Sequence, residues 1–149
     1  MIEHLPDQTA TALFGQRIAR ALRAGDVIAL SGGLGAGKTT LARAIIAALG
    51  YAGEVPSPSF AIIELYEPPL LRLPLVHADF YRLENPAELS EIGLDDYRMD
   101  AALIAEWPEH AGGLAHEPGC LSIQLEMIEN GRRAIVEPGK DWLERAGWK

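Results

Sequence analysis

The sequence predicts an α/β fold of three layers, a mainly parallel sheet between helices with an added antiparallel hairpin. Three observations predict it. Asp26-Val27-Ile28-Ala29-Leu30-Ser31 is a short apolar run suited to a strand buried on both faces. Gly32-Gly33-Leu34-Gly35-Ala36-Gly37-Lys38-Thr39 follows it and matches G-x-x-x-x-G-K-[ST] at every fixed position. Thr40 to Gly50 comes next, rich in helix formers and closed by Gly50 as the residue just past the helix end. Strand, glycine-rich loop and helix are the context in which this pattern makes a phosphate-binding loop (P-loop).

The residue types fit that chemistry. A polyphosphate needs several backbone N–H donors converging on one point. Gly32, Gly35 and Gly37 permit the curl because they lack Cβ. The start of the following helix adds partial positive charge. Lys38 reaches the β- and γ-phosphates in such a loop, and Thr39 holds Mg²⁺ through its hydroxyl.

The rest of the chain fills in around this unit. Residues 8–23 read as a helix capped by Asp7, with Ala10, Leu13, Phe14, Ile18, Ala21 and Leu22 on an apolar stripe. Arg17, Arg20 and Arg23 place positive charge toward its C-terminal end. Val55-Pro56-Ser57-Pro58-Ser59-Phe60 is an extended connector, because two prolines restrict it. Ala61 to Tyr66 and Leu73 to Asp79 read as strands, and their short separation predicts an antiparallel hairpin inserted in the sheet. Asn85 to Gly93 reads as a short helix, with Asn85 as cap, Pro86 at the first position and Gly93 as stop. Leu94 to Met99 reads as a turn or short helix. Ala101 to Ala105 is a buried strand ending on Glu106. Leu121 to Met127 and Arg133 to Val136 flank Asn130-Gly131 as a second hairpin, and Asp141 to Ala146 suits a terminal helix.

Composition limits the partners. A chain of 149 residues amounts to about one domain, and its 48% hydrophobic content is globular. The whole of 1–149 is therefore expected to be one domain. The net charge of −8 argues against this chain gripping nucleic acid by itself, since that binding rests on Lys and Arg contacts to phosphate. The lone Cys120 excludes an internal disulfide and fits a reducing compartment. Met1 to Asp7 lacks the pattern of a secretory signal, and no apolar run approaches the ~18 residues of a membrane span. A soluble cytoplasmic protein without membrane partners is expected.

Two carboxylates stand out. Asp79 ends an apolar strand, where a P-loop fold places the acid that helps hold Mg²⁺. Glu106 ends another strand, with a free carboxylate to position or activate a water or to complete the Mg²⁺ shell. His77 reads by spacing alone as a core or edge histidine. A GTPase is disfavoured, because no lysine follows an Asn and no Asp-x-x-Gly follows the Asp79 strand. A small-molecule kinase needs a basic lid, and segment 83–100 holds one arginine, Arg98. A nucleotide-sensing module without turnover remains the other alternative.

At this point the chain resembles a known family. Gly35-Ala36-Gly37-Lys38-Thr39-Thr40, Ser57-Pro58-Ser59-Phe60, His77-Ala78-Asp79-Phe80-Tyr81-Arg82-Leu83, Ile92-Gly93-Leu94 and Glu106-Trp107-Pro108-Glu109 look like the motifs of the TsaE (formerly YjeE) family, in order from about residue 5 to residue 137. The resemblance implies an ATPase of bacterial tRNA threonylcarbamoyladenosine biosynthesis. It implies partnership with the TsaB–TsaD pair, which modifies the adenosine beside the anticodon, and contact with tRNA only through that complex. It implies ATP and Mg²⁺ as cofactors. Gly35, Ala36, Gly37, Lys38, Thr39 and Thr40 then take the phosphates, Ser59 lies in a switch-like segment near the γ-phosphate, and Thr39, Asp79 and Glu106 serve the metal. Asp79 and Glu106 become the acidic catalytic residues, and Trp107 stands beside the site. The chain departs from the pattern in having Gly33 where an acid is usual and Ser59 where Thr is common. Leu5 to Gln8 is the neighbourhood expected for adenine.

Overall fold

The computed structural model of the chain describes residues 1–58, 63–145 and 148. Among them, one sheet is built from β1 Ile2–Leu5, β2 Val27–Ser31, β3 Ile63–Tyr66, β4 Leu75–Asp79, β5 Ala102–Glu106, β6 Cys120–Ile128 and β7 Gly131–Pro138. The spatial order is β1-β7-β6-β2-β5-β4-β3. Strands β6, β2, β5 and β4 are mutually parallel, and β1 points the same way. Only β7 and β3 run against them, so the sheet is mainly parallel by strand direction. The helices are α1 Gln8–Ala21, α2 Lys38–Ala48, α3 Glu88–Ile92, α4 Leu94–Tyr97 and α5 Lys140–Leu143, with a 3-10 turn at Pro108–Ala111. No helix of the described residues is long and apolar enough to cross a membrane.

Side-chain alternation divides the core into two layers. Along β2, Ile28 and Leu30 face α1 and α2, while Val27 and Ala29 face the opposite side. The first side is the deeper one. Phe14 and Ile18 of α1, Leu41, Ile45 and Ile46 of α2, and Trp142 of α5 all bury there. Each such Leu or Ile contributes about 1.5–3 kcal/mol through removal from water. The second side is covered more thinly by Phe80, Leu83, Leu94, Ala111 and Leu114. These come from short segments, and α3 has no fully buried residue. Three layers therefore form, with one helical layer much lighter than the other.

Local chemistry sets the element ends. Asp7 caps α1, its carboxylate accepting from the Ala10 N–H at 2.8 Å. Gly50 has φ 114° just past α2, the left-handed conformation expected after a helix end. Four details differ from expectation. β1 has no counterpart in the sequence reading. It pairs with β7 and buries Leu5. Leu13 is exposed, because the stripe of α1 that meets the sheet is narrower than the run of apolar residues. The helix at Asn85 starts later, at Glu88. The Asn85 side chain accepts from the Ala87 N–H at 2.9 Å and makes a turn before the helix instead of capping it. The β3–β4 hairpin lies at the sheet edge, with β3 outermost, and the Ala61-Ile62 part of its predicted strand falls outside the described residues.

The entry to β2 is fixed by a buried ion pair. Arg145 donates to both oxygens of Asp26, at 2.5 and 2.9 Å, and to the Ala21 carbonyl at 3.1 Å. Asp26 also accepts from the Arg23 N–H at 2.7 Å. Both side chains are almost wholly buried. Asp26→Ala leaves the guanidinium buried without its countercharge, so the folded state should lose roughly 3–5 kcal/mol. Urea unfolding of the variant against the parent chain measures this, and a loss under 1 kcal/mol would contradict the assignment.

Candidate nucleotide site

The site is assembled where β2, β5 and β4 end beside α2. Strand parity places it. Leu75, His77 and Asp79 alternate along β4, and Ala102, Ile104 and Glu106 along β5. Leu75, Ala102 and Ile104 bury in the layer under α1 and α2, so His77, Asp79 and Glu106 lie on that same face. Parallel register sets Asp79 directly beside Glu106. It also sets Glu106 beside Leu30, one residue before the end of β2.

Backbone conformation shapes the loop between β2 and α2. Gly32 has φ 137°, and a Cβ there would sit 2.4 Å from the Leu125 carbonyl oxygen, so no larger residue fits. Gly37 has φ 105° immediately before α2, and a Cβ there would lie 2.7 Å from Arg132 Nε. The Ala36 N–H donates to the Gly33 carbonyl at 3.2 Å and closes the inner turn. No side chain caps α2, which leaves its first-turn N–H groups facing the loop. The resulting cavity of about 370 Å³ is lined by Leu34, Gly35, Gly37, Lys38, Thr39, Thr40, Asp79, Glu106, Trp107 and Arg132.

Lys38 is buried at the centre. Its ammonium donates to the Gly32 and Gly33 carbonyls, both at 2.8 Å, and lies 4.3 Å from the centroid of the Trp107 ring. Burial pushes its pKa below the usual lysine value, while Glu106, Asp79 and Glu109 pull against that shift. Trp107 is held above it in the left-handed region, at φ 58°. That conformation costs a residue with Cβ about 1–3 kcal/mol. The Trp107 N–H donates to Leu30 at 3.1 Å, and its ring packs on Tyr81 and His110 at 4.9 and 5.4 Å. His110 Nδ1–H in turn donates to the Tyr81 carbonyl at 2.9 Å.

Glu106 does not have the free carboxylate expected from sequence. The Thr39 hydroxyl donates to Oε1 at 2.8 Å, and His77 Nε2–H donates to Oε2 at 2.7 Å. A carboxylate only accepts, so His77 Nε2 carries a proton. His77 Nδ1 is buried and has no hydrogen-bond partner. His77 is thus a core histidine that also holds Glu106. Asp79 Oδ1 accepts from the Tyr81 N–H at 2.9 Å.

Thr39, Asp79 and Glu106 offer one hydroxyl and two carboxylates. Such hard oxygen donors suit Mg²⁺, which takes few protein ligands and completes its shell with water and substrate phosphates. Among the described residues no group of three or more His, Cys, Asp and Glu side chains forms a self-sufficient metal cage. The uncapped helix start, the glycine curl and Lys38 suit an anionic polyphosphate. Of the expected site residues, Gly35, Gly37, Lys38, Thr39, Thr40, Asp79 and Glu106 line one cavity, with Ala36 buried behind the loop. Ser59 lies outside the described residues. Leu5 is buried in the core and Asp7 caps α1. Arg132 and Leu34 went unnoticed from sequence. Only the pairing of the second hairpin with the sheet brings Arg132 here.

Comparisons with known proteins bear on this geometry. The family described as "Threonylcarbamoyl adenosine biosynthesis protein TsaE" matches residues 5–135. The chain belongs to the TsaE family. A Haemophilus influenzae protein named "tRNA threonylcarbamoyladenosine biosynthesis protein TsaE" is 31% identical over 138 residues, covering 89% of this chain and 85% of the relative. A Mycobacterium bovis TsaE is 38% identical over 141 residues, covering 89% and 82%. The crystal structure of Bacillus subtilis YdiB superposes with a TM-score of 0.72 at 26% identity, covering 95% of this chain and 85% of that one. The α/β P-loop fold and TsaE membership agree with the sequence reading.

The His77–Glu106 contact makes a testable claim on stability. Glu106→Ala leaves both imidazole nitrogens of a fully buried histidine without partners. The variant should unfold about 1–3 kcal/mol more easily in urea. An unchanged midpoint would show that the contact carries no net stability.

Proposed function

We propose that the chain binds and hydrolyses ATP as one P-loop domain in the cytoplasm, and that it supports threonylcarbamoylation of the adenosine beside the tRNA anticodon together with TsaB and TsaD. The observation carrying this reading is the convergence of Thr39, Asp79 and Glu106 on the cavity formed by Gly35 to Thr40. Membership of the TsaE family supports the pathway. The acidic chain argues for meeting tRNA only through partner proteins.

In this reading the loop N–H groups and Lys38 hold the phosphates, and Lys38 exchanges its carbonyl partners for phosphate oxygens. Mg²⁺, when bound, neutralises developing charge on the β- and γ-phosphates. Thr39 would hold the metal through its hydroxyl oxygen, and its donation to Glu106 Oε1 would then be given up. Glu106 stays fixed by His77 through Oε2, so the freed oxygen has a defined direction for orienting a water. Phosphoryl transfer rests on positioning and charge stabilisation, which is why a fixed carboxylate matters more than a mobile one. Asp79 is held by the Tyr81 N–H beside it and serves the metal side.

ATPase assays of the chain with and without TsaB, TsaD and tRNA test the reading directly. Lys38→Ala should weaken ATP binding and lower the rate by ~10²–10³-fold with the fold retained, since it removes one preorganised charged donor. Unchanged ATP affinity by calorimetry would remove the basis of the assignment. Glu106→Gln keeps shape and removes charge. In the full complex it should bind ATP within a few fold of the parent and hydrolyse at least ~10²-fold more slowly. Parental turnover would deny Glu106 a catalytic role. Loss of Mg²⁺-dependent binding would place it in the metal shell instead.

A further inference from the structure

The β6–β7 hairpin returns to the loop with two arginines, and strand alternation sends them to opposite faces. Arg133 pairs with Glu126 of β6, with Nε at 3.0 Å from the carboxylate. Arg132 shares its face with Ala134 and Val136, which bury under the helical layer, so it points at the loop. There its guanidinium lies across Gly37 and lines the cavity. Among the described residues it has no carboxylate within ion-pair distance. Its one hydrogen bond is a long donation from Nη2 to the Gly35 carbonyl, at 3.3 Å. Nε is buried and has no hydrogen-bond partner. A buried guanidinium N–H without a partner is costly, and a guanidinium facing a cavity matches the paired oxygens of a phosphate.

Position decides which phosphates it would meet. β2 stands between β5 and β6. Asp79 and Glu106 lie on the β5–β4 flank, with Trp107 and Lys38 turned toward them. Arg132 comes from the opposite flank, across β6. The γ-phosphate belongs beside the metal-binding acids, so the opposite flank faces the end of the polyphosphate joined to the nucleoside.

We infer that Arg132 is a nucleotide-binding residue that pairs with the phosphates nearer the nucleoside, on the flank of the loop opposite Asp79 and Glu106. This rests on the reading of the cavity as an ATP site. Its consequence is a division of labour among cations. Lys38 serves the reacting end, and Arg132 serves ATP and ADP alike.

The test is calorimetric binding of ATP, ADP and inorganic tripolyphosphate to Arg132→Met, which keeps an apolar stem over Gly37 and loses the charge. Arg132→Gln is a second uncharged variant should the first fail to fold. ATP and ADP should weaken by the same factor, about ten- to a hundred-fold, as expected for one lost charge-assisted contact. Tripolyphosphate should weaken too. Parental affinity in Arg132→Met would make the residue a spacer for the loop and overturn the inference. Weakening of ATP alone would move Arg132 to the γ-phosphate end. Weakening of both nucleotides with tripolyphosphate unchanged would put it on the base. Failure of the parent chain to bind ATP would instead sink the proposed function, a result that no Arg132 variant can produce.

Discussion

The parallel register of β2, β5 and β4 is the constraint on which the site depends. It sets Glu106 beside Leu30 and Asp79 beside Glu106. Because side chains alternate along a strand, the same register turns both carboxylates toward α2. A slip of one residue would send them to the thinly covered face and leave Thr39 without its partner. The register is itself held by burial. Ile28, Leu30, Ala102 and Ile104 fit under α1 and α2, and Val27, Ala29, Leu103 and Ala105 fit on the other side. Core packing and site geometry are therefore one specification.

That specification explains why polar groups are tolerated so deep. Glu106 and His77 are almost wholly buried, and burial of either alone would be costly. Each answers the other, and the Thr39 hydroxyl answers the second carboxylate oxygen. The chain of contacts ties the first turn of α2 to β5 and β4. Trp107 adds a second tie. Its strained backbone places an aromatic face over Lys38 while its N–H remains bonded to β2. The lysine is thus enclosed by neutral carbonyls and a ring, with carboxylates near enough to offset part of the cost of burying its charge.

Much of this was legible in the sequence because it is local. The pattern from Gly32 to Thr39 carries its own conformation, and apolar runs ending on Asp79 and Glu106 announce strand ends next to it. Ser57-Pro58-Ser59-Phe60 was legible as a motif, although Ser59 falls outside the described residues. What escaped was non-local. β1 is too short and mixed to show a period, and it exists because β7 offers an edge to pair with. Arg132 looks like any hairpin arginine until sheet order carries the hairpin beside the loop. The engagement of Glu106 by His77 needed the register of two strands separated by residues 80–101. Asn85 misled because its side chain serves a turn as readily as a cap.

The two ends of β2 use charge in opposite ways. At its entry, Asp26 and Arg145 neutralise each other through two hydrogen bonds, and the Arg23 N–H and Ala21 carbonyl occupy further sites. That arrangement leaves no net charge to offer and serves the fold. At its exit, Lys38 rests on two backbone carbonyls of the loop and Arg132 makes one long bond to a third, contacts that leave both charges uncancelled. A cation paired to a carboxylate must be unpaired before it can meet an anion, and that costs the pair. A cation resting on neutral carbonyls gives up only hydrogen bonds, which a phosphate returns in stronger, charge-assisted form. The carboxylates at this end in turn accept from Thr39, His77 and the Tyr81 N–H. Separate anchoring of cations and anions around one cavity is the arrangement that a polyphosphate with its metal requires.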